Sequence, residues 1–218
     1  NLAATVSGDP ARFEISDLAI ALADARVQGA ISGDLSAEPS IDVALTLGRL
    51  DLDKFGLLDG RSTQTPAAVA EQGATSAASE GGGFTLPQGV RVKLAFAADA
   101  LDYGGRTVRQ IRLESLLDQG AIVVNILTAQ LPGGTNATVS GTVYADGGLP
   151  RFVGRADVVS DNLRTALTWL EGPLNGLAPD RLRKGVFGAD VDASPKQIEL
   201  SNWAVDVDST RINGGLSL

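Results

Sequence analysis

Histidine and cysteine are absent from the chain, and aromatic residues make up only 5% of it. Without histidine there is no ordinary general base, and the Ser-His and Cys-His nucleophile pairs and most zinc and iron sites lose a member. Carboxylate chemistry is left open. The lack of cysteine excludes disulfides but fits an oxidising compartment as well as a reducing one. With two Trp and two Tyr in 218 residues, an aromatic-lined carbohydrate cleft is poorly supplied. No run approaches the roughly 20 apolar residues of a membrane-spanning helix. There is no basic tract, and the net charge is −8. Nucleic acid is therefore a poor partner, and the sequence shows no polybasic patch for anionic lipid headgroups. Asn1 is neither an initiator methionine nor the start of a signal peptide. The chain is expected to be a piece of a longer one, with its targeting information elsewhere.

What is present is a repeat. Residues 1–33 and 186–218 align without a gap. They share Ala4/Ala189, Val6/Val191, Pro10/Pro195, Glu14/Glu199, Ser16/Ser201, Arg26/Arg211, Gly29/Gly214 and Ser32/Ser217. Apolar positions match in kind, as in Phe13/Ile198, Ile15/Leu200, Leu18/Trp203 and Ile20/Val205. An internal repeat constrains the architecture before any local reading does. The repeated unit reads as a β-hairpin with turns at Ala23-Asp24-Ala25 and Asp208-Ser209-Thr210. In its first arm Phe13 and Ile15 lie on one parity, and Leu18, Ile20 and Leu22 on the other. Side chains alternate faces along a strand, so this switch would expose half of the apolar set. One inserted residue near Ser16-Asp17 repairs it, and the second copy switches parity at Ser201-Asn202. Both hairpins are therefore expected to carry a built-in bulge.

The rest of the chain continues the pattern. A strand is expected over 2–8, and Ile41, Val43, Leu45 and Leu47 alternate up to a parity shift at Leu50. A short helical turn is expected over Lys54 to Leu58. Residues 59–89 are rich in Ala, Ser, Thr, Gly and Gln and read as a flexible low-complexity insert, unable to offset the entropy of ordering. Val92, Leu94 and Phe96 alternate cleanly with Arg91, Lys93 and Ala95. Further strands follow to residue 158, and Ala121 to Leu131, apolar on both parities, reads as a strand covered on both faces. One amphipathic helix is expected near 161–171, capped by Ser160 or Asp161, with Leu163, Ala166, Leu167 and Leu170 on one face and a stop at Gly172-Pro173. A short helix is expected around Asp180–Lys184. The fold class is mainly β, a single domain over 1–218. It is expected as a long curved antiparallel meander, a taco-like or half-open barrel sheet that curls to hide its apolar face.

The pairs Asp51/Asp53, Asp190/Asp192 and Asp206/Asp208 each set two carboxylates on one face of a strand, as a calcium site or an acid–base pair would need. Strand alternation produces this spacing readily, and no EF-hand loop surrounds it, so a solvated polar face is the simpler reading. The Gly-Gly doublets match no phosphate loop and serve turns. Asn136-Ala137-Thr138 fits the short glycosylation sequon. Trp169 and Trp203 fit either a ligand groove or helix–sheet packing. Ser16 and Ser201 have no base to activate them. No catalytic residue, metal or cofactor is expected. The remaining candidate is the apolar face, as a groove for acyl chains or as an ordinary core under the helix.

Several segments together resemble the AsmA family of Gram-negative envelope proteins. They are Leu-Asp-Tyr-Gly-Gly-Arg at 101–106, the turn Leu117-Asp118-Gln119-Gly120, Leu-Pro-Gly-Gly at 131–134, the helix sequence at 161–170 and the closing stretch at 198–216. The resemblance implies a non-enzymatic periplasmic body tethered to the inner membrane by a helix outside these residues. It implies a curled sheet related to chorein-type bridge lipid-transfer proteins, and a part in outer-membrane assembly and lipid homeostasis. On this reading phospholipid acyl chains are the partner, with other envelope proteins pairing through edge strands and the segment itself soluble. The lining is then expected from Phe13, Ile15, Leu18, Ile20, Val27 and Ile31 in the first repeat. Val92, Leu94 and Phe96 would add the middle, and Ile198, Leu200, Trp203 and Val205 the second repeat. The rival expectation is a structural or assembly scaffold whose apolar face is simply core.

Overall fold

The structure is a computed structural model and describes residues 2–22, 25–55, 83–103, 105–172, 174 and 181–217. Twelve strands form one sheet in the order of the chain, and the sheet does not close into a barrel. The first four strands are β1 (Leu2–Gly8), β2 (Arg12–Leu22), β3 (Ala25–Asp34) and β4 (Ser40–Asp51). Five follow in the middle: β5 (Arg91–Tyr103), β6 (Arg106–Asp118), β7 (Ala121–Leu131), β8 (Thr135–Asp146) and β9 (Leu149–Ser160). A helix α1 (Leu163–Glu171) precedes β10 (Gly185–Ser194), β11 (Gln197–Val207) and β12 (Thr210–Ser217). All neighbours are antiparallel except β4 and β5, which run parallel from Ser40↔Arg91 to Asp51↔Asp102. A parallel pair needs a long crossover connection, and the stretch between Asp51 and Arg91 supplies it. The sequence reading, which made the whole meander antiparallel, is corrected at this one pair.

The expected bulges are present and form a line. Asp17 in β2 and Asn202 in β11 have φ of 53° and 48°, a left-handed conformation that Asp and Asn tolerate better than most residues. In β2, Ile15 to Leu18 oppose only Ile31 to Gly29 of β3. In β11, Leu200 to Trp203 oppose Leu216 to Gly214 of β12. A third extra residue lies in β7, where Val124 to Leu127 oppose Gly141 to Val139 of β8. All three fall at the same level of the sheet, just beside the cross-strand row that contains Ile15, Val124 and Leu200. Each bulge bends its strand, so their alignment marks a crease running at right angles to the strands.

This geometry corrects the reading of β7. Its apolar residues on both parities do not mean two covered faces, since Val123 is 37% exposed. The bulge instead moves the apolar set from Val124 to Leu127 without leaving the face. The expected parity shift at Leu50 is seen. Leu50 and its partner Leu101 both pack against the buried cluster of Ala25, Leu47 and Ala98. The helical turn is a 3-10 turn over Leu52–Phe55, and the remainder of that expectation lies outside the described residues, as does most of the low-complexity segment. Its last part, 83–89, runs along the ends of the hairpins instead of standing apart. The Phe84 N–H donates to the Gly148 carbonyl of the β8–β9 turn, and the Arg91 N–H to Pro39. The helix begins later than expected. Asn162 is its cap, accepting from the Thr165 N–H through its side chain, and Leu170 is 55% exposed, off the packed face. Residues 181–184 form no helix. The tip at 23–24 lies outside the described residues.

Candidate functional site

The expected lining residues all fall on one face, because strand partners share a face. One row crosses all twelve strands. It starts Val6–Ile15–Ile31–Val43–Leu94–Ser115. It continues Val124–Gly141–Gly154–Val191–Leu200–Leu216. On one side of it a second row joins Phe13, Gly33, Ile41, Val92, Leu117, Ile122, Val143, Phe152, Ala193 and Ile198. On the other side, across the crease, Leu18, Gly29, Leu45, Phe96, Leu113 and Leu127 continue it. Ile20 and Val27 extend the face beyond those, and Trp203 and Val205 lie on it in β11. At about 4.8 Å between strands, such a stripe is about 50 Å long.

The apolar face is covered only in part. Among the described residues six hydrophobic side chains are buried, and five of these are alanine. Phe13, Ile15, Leu18, Ile20, Val27, Ile31, Val92, Leu94, Phe96, Leu200, Trp203 and Val205 are half-buried, and Ile198 is exposed. The sheet therefore presents a long apolar stripe that its own residues do not bury.

The opposite face is polar and cross-linked by ion pairs. Arg151 bridges Asp146 and Asp192, Arg155 bridges Asp157 and Asp190, and Arg211 holds Asp206. Of the Asp-x-Asp carboxylates, Asp190, Asp192 and Asp206 are thus turned toward arginine. The side-chain N–H of Asn202 and Arg155 draw the Asp190 carboxyl below its ordinary range, and Arg151 does the same for Asp192. Hydrogen bonds from Ser36 and Arg12 bring Asp34 to about 2.

One end of the strands carries a cap. The Leu163 and Arg164 N–H groups of the first helical turn donate to the carbonyls of Arg183 and Leu182, which serves donors that a helix N-terminus leaves free. The loop below is held in turn by Asp208, whose carboxylate accepts from the backbone N–H of Leu182, Arg183 and Lys184 at 3.0, 2.9 and 3.2 Å. At the far end of the helix the Arg106 guanidinium lies 5.8 Å from the Trp169 ring centre and donates to the Leu170 carbonyl. Between α1 and the apolar face is a hollow of about 300 Å³, walled by Val158, Leu163, Leu167, Leu182, Phe187, Val205 and Val207 among others. The cap also corrects the sequence reading of charge. Arg164 donates from Nε to the Arg181 carbonyl, which joins it to the short basic run Arg181-Leu182-Arg183-Lys184 that the sequence reading passed over.

Sequence reasoning missed the lining contributed by β4 and β6–β9, although Ile41, Val43 and Leu45 show the same alternation. It also missed the hollow, whose walls come from segments distant in sequence. No family model matches the chain, and no curated protein or solved structure matches it.

Proposed function

We propose that this chain is a non-enzymatic, AsmA-like segment that binds phospholipid by its acyl chains along the apolar face. It acts in the periplasm, as part of a protein tethered to the inner membrane, in lipid homeostasis and outer-membrane biogenesis. The observation that carries the reading is the apolar stripe across all twelve strands, lined by large side chains that stay half-exposed. A stripe at right angles to the strands suits a hydrocarbon chain, which needs length and no polar partner. Covering one side of a 16-carbon tail is worth about 6 kcal/mol, at about 0.8 kcal/mol per fully buried CH₂. That offsets part of the cost of association, roughly 4–15 kcal/mol, so two tails and a headgroup contact make binding favourable.

The test uses Ile20→Glu and Leu94→Glu, each verified as folded by circular dichroism. Native mass spectrometry and organic extraction are expected to find phospholipid on the unaltered protein, and less than half as much on either variant. Equal lipid on folded variants removes the reading. A second reading, an assembly scaffold, draws on the free edge β1, whose residues Leu2–Gly8 carry no charge. Edges of this kind invite strand addition. The scaffold reading expects no lipid on the unaltered protein and a partner strand along β1.

A further inference from the structure

The hollow beneath α1 and the basic cluster beside it belong to one site. The walls of the hollow are apolar, among them Leu163, Leu167, Leu182, Phe187, Val205 and Val207. It opens from the same face as the stripe, since Val205 and Phe187 are paired neighbours in β11 and β10. Leu182 lines it, and the flanking residues Arg181, Arg183 and Lys184 are exposed. Arg164 joins them from the first turn of the helix. Four of the chain's 18 basic residues thus meet at one rim, in a protein of net charge −8. Among the described residues Arg181, Arg183 and Lys184 make no salt bridge. Asp208, the carboxylate that touches this loop, accepts from three backbone N–H groups. Its charge offsets part of the cluster and leaves an excess of positive charge.

We infer that this end of the sheet is a selective subsite for an anionic acyl lipid. The acidic head is held by Arg164, Arg181, Arg183 and Lys184, and the first part of one tail lies in the hollow under α1. The inference rests on the lipid reading above and adds to it a headgroup charge and a place of entry. The chemistry is that of an amphiphile. An apolar hollow of this size favours hydrocarbon over polar groups, and a positive rim selects the sign of what the hydrocarbon is attached to. The clasp of Asp208 and the two helix-to-loop hydrogen bonds keep the rim and the hollow in fixed relation.

The experiment incubates the protein with vesicles of phosphatidylcholine and phosphatidylglycerol in equal parts, removes the vesicles and extracts what the protein retains. The retained ratio of phosphatidylglycerol to phosphatidylcholine is expected to be about five to one, against one to one in the vesicles, the factor that one Lys or Arg beside an anionic lipid supplies. The triple variant Arg181→Glu, Arg183→Glu, Lys184→Glu is expected to retain lipid in the vesicle proportions, with the phosphatidylcholine amount unchanged. Leu167→Trp, which fills the hollow, is expected to lower retained phosphatidylglycerol at least two-fold without changing the circular dichroism. Retention of both lipids in vesicle proportions by the unaltered protein overturns the subsite and leaves the groove reading standing. So does a triple variant that keeps the enrichment. No retained lipid at all overturns both.

Discussion

Gly214 lies beneath the indole of Trp203, and a Cβ at that position would sit 2.8 Å from the ring. Gly33 stands to Phe13 in the same way, at 2.4 Å. In each pair the aromatic ring covers the backbone of the neighbouring strand, so a glycine gives the ring its seat. Introducing bulk forces the ring off a packed surface, which costs about 1–3 kcal/mol. Gly214→Val and Gly33→Val are therefore expected to lower the urea midpoint with the slope of the transition unchanged. A midpoint equal to that of the unaltered protein would mean that the rings have equivalent seats elsewhere. Residue identity at the bulges follows a different rule. Asp17 and Asn202 hold positive φ in place of glycine, each with a short polar side chain that accepts the left-handed region.

At the scale of the element, the inserted residue is what keeps β2 and β11 two-faced. Deleting Asn202 moves Trp203, Val205 and Val207 to the polar side and Ala204 and Asp206 to the apolar one. Deletion is expected to abolish cooperative unfolding of the protein in urea, whereas Asn202→Gly changes stability by less than about 1 kcal/mol. A deletion variant that unfolds with an unchanged midpoint would show that the register can slip elsewhere. These bulges were legible because the repeat shows the parity switch twice, at Ser16-Asp17 and at Ser201-Asn202. The bulge of β7 was misread because Ala121 to Leu131 occurs once, and a parity change inside a continuous apolar run looks like burial on both sides. The parallel β4–β5 pair left no local signal, since alternation is the same for either strand direction. For the site, Phe13, Ile15, Leu94 and Leu200 could be named from alternation alone. The basic rim was legible only in part: Arg181-Leu182-Arg183-Lys184 is a short basic run, but Arg164 meets it only through hydrogen bonds between a helix end and a loop.

Across the whole molecule, the polar face holds its charge in pairs, and this sets the response to acid. Asp34 sits at about 2 against an ordinary 3.8. Arginine partners lower Asp102, Asp192 and Asp206, Asn202 and Arg155 lower Asp190, and backbone N–H groups lower Asp208. For a lowered carboxyl the unfolded chain takes up protons first as pH falls. The stabilisation is therefore full above the ordinary carboxylate range and is lost on descending through the folded values. The midpoint of thermal unfolding is expected to be level above about pH 5 and to fall between about pH 4 and pH 2. The fall should be shallower in Asp34→Asn, and a midpoint independent of pH over that range would contradict the pairing. These groups are exposed, so added salt should flatten the response.

The aligned crease carries a consequence for how such a molecule can change over generations. Because the bulges of β2, β7 and β11 lie at one level, a hairpin copied from one edge to the other meets the sheet already bent at the right place. The cross-section is then a profile that can be extruded, and duplication alters the length of the sheet and leaves the profile alone. The matching hairpins at β2–β3 and β11–β12 fit such growth, which multiplies the bent hairpin and leaves segments such as α1 and its loop uncopied.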